Sequence, residues 1–197
     1  MARPRAFDES AVISAAREKF WSCGYAATSV DDLSAATGLG KGSLYGAFGD
    51  KHGLYLKALD SYCIDMIAIF RTELTKPNST PVDRLVHHIR SQARLFASDS
   101  LRKGCMMASA AAELAAVDAA VAEIVERSLT DWRNALVDCI RGAQRDGAID
   151  PNLNAQALAT TVLAFLRGLE ALDKGGIKPA QIKASAEAFL RMISPPR

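Results

Sequence analysis

The 197-residue chain is 49% hydrophobic and 23% charged, and its net charge is +2. These values are ordinary for a globular protein and give no argument from bulk charge for a nucleic-acid partner. No apolar run reaches the roughly 18 to 20 residues of a membrane span, and the start, MARPRAFDES, lacks the apolar core of a signal peptide. We therefore expect a cytoplasmic protein with no membrane partner.

The first 75 residues predict four helices. Asp8 is a natural N-cap for the first helix, which Gly24 ends. Thr28 or Ser29 caps a short second helix with two acidic residues in its first turn, where the helix dipole favours negative charge. Gly38 ends that helix, and a third begins within two or three residues. The predicted helices span about residues 8–23, 30–37, 41–48 and 51–75.

The segment KPNSTP ends the fourth helix and has the composition of a break between parts of the chain. Its Thr80 and Pro81 then supply the cap and the first-turn proline of a fifth helix. The predicted helices of this half span about residues 81–98, 106–115, 118–146, 154–173 and 179–193. Because no segment shows the alternation of a strand, we predict an all-α protein.

The second and third predicted helices have the arrangement of a helix-turn-helix motif, whose second helix enters the major groove of DNA. The stretch TGLGKGSLYGAF contains Gly40, Gly42 and Gly46, although glycine is costly in a helix. We interpret these glycines as a bare face that lets the backbone, Lys41 and Ser43 approach DNA. A generic α-hairpin has the same spacing, so spacing alone leaves both interpretations open.

The residues TSVDDLSAATGLGKGSLYGAFGDKHGLY, preceded by AAREKFWSCGY, resemble the N-terminal domain of Tet repressor (TetR) family regulators over about residues 7–59. The resemblance implies a homodimeric repressor that binds double-stranded operator DNA and is released by a small-molecule effector. It also implies two domains joined by the long fourth helix. These are a helix-turn-helix DNA-binding domain, residues 1–50, and a helical ligand-binding and dimerisation domain, residues 51–197.

The resemblance implies roles for individual residues. The positions that match the usual base-facing turn are Lys41, Gly42 and Ser43, and those that match phosphate-holding positions are Thr28, Ser29, Tyr45 and Lys51. The chain departs from the family pattern at Gly40, where Ser or Ala is commoner, and at Gly46 and Ala47, which replace a bulky or His-containing pair. With fewer side chains to contact bases, a larger share of specificity is expected from DNA shape.

The first residues, ARPR, have two interpretations. Arg3 and Arg5 are suited to an arm that reaches into the minor groove. A solvated tail in the free protein is the alternative, and both descriptions can hold at once.

No catalytic or metal-binding set is visible in the sequence. His52, His87 and His88 lack any metal-ligand spacing, and the four cysteines form neither a CxxC pair nor a disulfide framework. We predict no enzymatic activity, no cofactor and no metal. The histidines are expected on the surface or satisfied in the core, and the thiols are expected to be reduced and buried.

Cys105 is the one candidate reactive residue. It precedes a predicted helix start, where the dipole can lower a thiol pKa. The segment resembles the GC helix start of a subset of TetR regulators, some of which sense electrophiles through that cysteine. Two alternatives stay open: a small residue that fills a helix entrance, and a small all-helical redox or enzymatic protein that acts through Cys105.

The C-terminal half also predicts a pocket and an interface. A pocket for a hydrophobic or electrophilic effector is expected from apolar and flexible side chains, each of which also suits a plain core. We assign to it Met66, Phe70, Cys105, Met107, Trp132 and Phe165. The last two helices carry broad stripes of small and apolar residues, which predict a four-helix dimer interface.

Overall fold

The computed structural model describes residues 7–98 and 103–193, so Arg3 and Arg5 lie outside the described residues. The described chain consists of helices and the turns between them, which confirms the all-α prediction. Each predicted helix is present, with ends close to those expected. The helices are α1 Glu9–Cys23, α2 Val30–Thr37, α3 Lys41–Phe48, α4 Lys51–Thr75, α5 Pro81–Ser98, α6 Met106–Glu113, α7 Ala119–Arg145, α8 Ala155–Lys174 and α9 Pro179–Ile193.

The residues fall into two compact units. Unit 1 consists of Met1–Asp65 and Cys105–Val125, and unit 2 consists of Met66–Gly104 and Glu126–Arg197. Helices α4 and α7 each contribute residues to both units. The two units are defined by contacts between residues. The predicted domains, residues 1–50 and 51–197, are instead defined by the family layout, and that boundary stays a prediction.

Aromatic rings contact one another inside unit 1, where Phe20 and Tyr55 are buried. The Phe20 ring meets the Tyr55 ring edge-on at 5.1 Å between centroids, and Tyr25 lies 4.7 Å from Tyr55. Helix α1 packs on α2, and α2 packs on α3. The buried residues of α1 are Val12, Ala16 and Phe20. Trp21, also in this unit, is half-buried against the ring of Tyr62 at 5.2 Å.

Unit 2 has a fully buried tryptophan at its centre. Trp132 is 0% exposed, and its ring lies 4.4 Å from that of Phe70. Its indole Nε1 donates a hydrogen bond to Nε2 of His88 at 3.0 Å, while Nδ1 of His88 lies 2.6 Å from Oε2 of Glu73. An indole nitrogen only donates, so Nε2 of His88 must accept and the imidazole proton must lie on Nδ1. His88 is therefore a satisfied core histidine, as predicted.

Two other expectations need adjustment. Cys63, Cys105 and Cys139 are buried, but Cys23 is exposed at the end of α1, so the prediction of buried thiols was wrong for that residue. Within residues 7–98 and 103–193, α8 is the one helix long and apolar enough to meet the length and composition of a membrane span. It buries leucines in unit 2 together with Glu170, which is the behaviour of a core helix.

Candidate nucleic-acid interface

The start of α2 is fixed by a reciprocal cap. The Ser29 hydroxyl accepts from the Asp32 backbone N–H at 3.1 Å, and the Asp32 carboxylate accepts from the Ser29 backbone N–H at 3.0 Å and from its hydroxyl at 2.7 Å. Lys19 approaches the same carboxylate at 3.1 Å. These bonds, the Ser29 hydroxyl first, lower the pKa of Asp32 to about 2. The entry to the motif is therefore anchored to α1 by a charged contact.

The turn between α2 and α3 is held by backbone and hydroxyl contacts. Gly38 has φ +69°, a left-handed conformation that favours glycine. Its N–H donates to the Ser34 carbonyl at 3.0 Å. The Thr37 hydroxyl donates to the Leu33 carbonyl at 2.7 Å and accepts from the Leu39 N–H at 3.3 Å. This tight, satisfied turn fixes the direction in which α3 leaves α2.

Helix α3 divides into a buried face and an open face. Leu44 and Phe48 are buried, and the exposed positions are Lys41, Gly42, Ser43, Tyr45 and Gly46. A Cβ atom placed on Gly40, Gly42 or Gly46 would meet no protein atom within 4 Å. Neither glycine inside α3 is therefore required by packing within the protein. At Gly42 and Gly46 the helix therefore bears the cost of glycine without any packing contact among the described residues that requires it.

The N-terminus of α3 carries no side-chain cap. Gly40 occupies the N-cap position, so the first N–H groups of the helix have no side-chain oxygen over them. Lys41 lies at this end and forms an exposed ion pair with Asp31 at 2.7 Å, which raises the pKa of the lysine. A phosphate or a base acceptor at this end would meet unsatisfied donors and a lysine that stays charged.

The residues assigned to phosphates all lie in unit 1, with Ser29 and Lys51 at helix starts and Tyr45 within α3. Ser29 is exposed, and Tyr45 is 45% exposed. The Lys51 ammonium lies 4.4 Å from the centroid of the Tyr25 ring at the start of α4. Thr28 differs because it is buried and its hydroxyl donates to the Gly24 carbonyl at 2.7 Å. The structure thus gives Thr28 a role in the turn, and its phosphate contact stays a prediction.

One contact next to Lys51 was not expected from the sequence. His52 Nε2 lies 2.6 Å from the Asp118 carboxylate, which also caps α7 by accepting from the Ala120 and Val121 N–H groups. The His52 contact is the first cause that lowers the pKa of Asp118. Asp118 was recognised as a helix start, but no local pattern connects it with a residue 66 positions earlier. This contact ties the start of α4 to the start of α7 within unit 1.

The residues assigned to the effector pocket divide between the units. Cys105 and Met107 belong to unit 1, where both are buried at α6; Cys105 is the N-cap residue of that helix. Met66, Phe70, Trp132 and Phe165 belong to unit 2. The structure brings Phe70 and Trp132 together, whereas Phe165 stacks on Phe189 at 4.1 Å. In the part of the chain that the structure describes, no cluster of metal-ligating side chains occurs.

Two short helices around a rigid glycine turn, with an open face on the second helix, define a helix-turn-helix protein of the kind that binds DNA. Comparison with known proteins extends this assignment. Residues 12–58 match "Bacterial regulatory proteins, tetR family" and residues 81–189 match "Tetracyclin repressor-like, C-terminal domain". The chain belongs to the TetR family and is a DNA-binding transcriptional regulator.

Individual relatives support the same family. The HTH-type transcriptional repressor ComR of Escherichia coli is 26% identical over 96% of this chain and 90% of its own. The repressor BdcR of the same organism is 32% identical over 53% of each chain. The structure of a cysteine-substituted CifR, a TetR family regulator complexed with a 26-bp double-stranded operator, has a TM-score of 0.82 at 26% identity and covers 98% of this chain and all of that one.

Proposed function

We propose that the protein is a cytoplasmic homodimeric repressor that places α3 in the major groove of a palindromic operator. The open face of α3 carries this proposal, because it is glycine-rich, exposed and free of packing contacts. The names of the relatives support it: ComR and BdcR are repressors, and CifR binds operator DNA. In a two-fold dimer the two copies of α3 would enter half-sites about 34–36 Å apart or slightly more.

The residue roles proposed here are those that the family resemblance implies. Lys41 and Ser43, with the backbone at Gly42, are proposed to face bases at the uncapped start of α3. Ser29, Tyr45 and Lys51 are proposed to hold phosphates on either side, together with Thr28 if its buried turn opens toward DNA. Arg3 and Arg5 are proposed to enter the adjacent minor groove. Phosphate contacts of this kind orient a motif without reading sequence.

The dimer interface is proposed on α8 and α9. Exposed positions of α8 recur on one face and are small, as Ala157, Thr161, Ala164 and Gly168 show. Met192 on α9 is 80% exposed. A face of small residues on α8 and an exposed large apolar residue on α9 suit close helix packing between two copies.

Release by an effector is proposed to act through the predicted pocket residues. In unit 2 the rings of Phe70 and Trp132 pack together, and Trp132 ends a polar chain through His88 to Glu73 that joins α7, α5 and α4. Met66 is buried on α4 in the same unit. A hydrophobic molecule among them would have to bind the DNA-free state more tightly, since coupling between two sites is reciprocal. Cys105, buried at an uncapped helix start, is proposed as the reaction site for an electrophilic effector.

The central test measures binding to DNA from upstream of the protein's own gene by fluorescence anisotropy, with shuffled DNA as competitor. We expect specific binding that Lys41→Ala abolishes and that Lys57→Ala, at an exposed position of α4, leaves intact. Equal binding to both DNAs at every salt concentration would contradict the proposal.

The dimer is tested by sedimentation, which measures the mass of the particle in solution. Ala164→Glu on α8 should reduce that mass to one chain, whereas the control Ala111→Glu on α6 should not. The effector is tested with a compound collection, by looking for compounds that both raise the melting temperature of the protein and release it from operator DNA.

A further inference from the structure

A cavity of about 580 Å³ lies in unit 2, between the C-terminal end of α4, the first turns of α5 and the second half of α7. This volume is within the range of small-molecule sites, about 300–1,000 Å³. No residue of the predicted effector pocket lines it. It is therefore a separate candidate site, and its chemistry is set by a different group of side chains.

Five of the twelve residues that line this cavity are charged. Three arginines, Arg71, Arg84 and Arg145, face two aspartates, Asp131 and Asp138. Arg71 is neutralised by Asp131, whose carboxylate lies 3.1 Å away. Among the described residues, neither Arg84 nor Arg145 forms an ion pair. The lining thus retains one positive charge in excess of its carboxylates.

Arg84 has the least satisfied position in the group. Its Nε is buried and makes no hydrogen bond to any described residue. A buried donor without an acceptor is unfavourable, and a guanidinium presents its donors in a fork that matches the two oxygens of a carboxylate. Because Arg84 lines the cavity, a carboxylate there would meet this guanidinium.

Cys139 adds no negative charge to the cavity at neutral pH. Burial raises the pKa of its thiol to about 11, and Sγ donates to the Pro81 carbonyl at 3.0 Å. Apolar surface is supplied by Leu74, Pro81 and Ala135. The lining therefore combines unpaired cationic groups with a non-polar wall.

We propose that this cavity binds a small organic monoanion whose carboxylate lies on Arg84 and Arg145. The apolar body of the ligand lies against Leu74 and Pro81. Because α4 is one helix from Lys51 to Thr75, occupation of its C-terminal end is a route to altered DNA affinity. That coupling rests on the proposed function, whereas binding of the anion does not.

Titration calorimetry on the full-length protein tests the binding, with benzoate and hexanoate as probes and neutral benzamide as their control. We expect benzoate or hexanoate to bind and benzamide to bind at least about tenfold more weakly, as loss of a charged pair predicts. Arg84→Met should weaken carboxylate binding about tenfold, and Arg133→Met, at an exposed position of α7 outside the cavity, should not. Asp138→Asn should tighten it about two- to threefold by removing a repelling charge.

Folding of Arg84→Met is checked by its melting temperature, which should not fall because Nε makes no bond to lose. No binding of either carboxylate by the wild type, equal binding of benzamide, or equal effects of Arg84→Met and Arg133→Met would overturn the proposal. Operator binding is measured on the same samples. Operator binding that is intact without carboxylate binding refutes this inference alone, and carboxylate binding without operator binding refutes the proposed function alone.

Discussion

Adding a single methyl group to the open face of α3 should make the protein more stable and a worse DNA binder. The changes are Gly42→Ala and Gly46→Ala. Both glycines lie inside the helix, and an added Cβ would meet no protein atom within 4 Å at either position. Neither has a left-handed φ, so alanine adopts the backbone without strain.

The expected gain follows from helix propensity alone, because no packing term opposes it. Alanine is favoured over glycine by about 0.8–1.0 kcal/mol in a helix interior; because Gly42 lies in the first turn of α3, the two changes together should add about 1–2 kcal/mol. For a chain of this size each kcal/mol raises the melting temperature by about 2–4 °C. Gly53→Ala provides the contrast, since its Cβ would collide with the Phe48 carbonyl oxygen, and that variant should melt lower.

DNA affinity should change in the opposite direction. If this face lies against DNA, each methyl holds the helix backbone away from the groove, and we expect at least about a tenfold loss of operator affinity, equivalent to 1.4 kcal/mol. Thermal melting and anisotropy titrations on the same preparations measure both quantities. Ser14→Ala, at an exposed position of α1, is the control that should leave operator affinity unchanged.

The two readouts separate the explanations. Higher stability with unchanged operator affinity would refute the assignment of the bare face to DNA. Lower stability in both variants would show that the glycines are needed for the fold itself. Only a gain in stability together with a loss of affinity agrees with the proposed interface.

Three further predictions follow from other contacts. Lys51→Ala should weaken specific and random DNA binding alike and reduce the salt slope by about one, and an unchanged slope with lost sequence preference would show that Lys51 contacts bases. The pKa of Asp32 falls from 3.8 in the unfolded chain to about 2 in the folded protein, so the stability that its carboxylate contributes is present above about pH 4 and lost as the pH falls toward 2. Ser29→Ala should therefore make the melting temperature depend less on pH in this range. An unchanged dependence of melting temperature on pH would contradict the role of the cap. Trp132→Phe removes the N–H that donates to Nε2 of His88 and leaves that buried nitrogen without a donor. The free energy of unfolding, measured by chemical denaturation, should fall by about 1–3 kcal/mol. A variant as stable as wild type would show that this hydrogen bond contributes nothing.

Local signals were sufficient to predict the helices. Asp8 and Ser29 are predicted caps, and their side chains accept backbone hydrogen bonds from the first turns of α1 and α2. Gly24 and Gly38 end helices with positive φ. Each of these signals depends only on residues a few positions apart, so it can be recognised from the sequence without knowing the fold. For the same reason the open face of α3 was foreseen from the spacing of its glycines.

Contacts between distant residues were not predictable in this way. The burial of Thr28 depends on how its turn packs, and hydroxyl chemistry alone does not distinguish a turn contact from a phosphate contact. The pair of His52 and Asp118 and the chain through His88 require helices far apart in sequence to meet. The arginine-lined cavity was missed because its residues come from three helices and share no spacing.

The two tryptophans lie in different units, so their fluorescence reports separately on each unit. Trp21 is half-buried in unit 1 beside Tyr62, whereas Trp132 is sealed in unit 2 with its indole nitrogen bonded to a neutral imidazole. Their emission should therefore differ in wavelength and in access to dissolved quenchers such as iodide. With Trp21→Phe the remaining fluorescence reports on unit 2 alone, so comparing its unfolding curve with that of the wild type, which contains both signals, shows whether the two units lose their structure together or in turn.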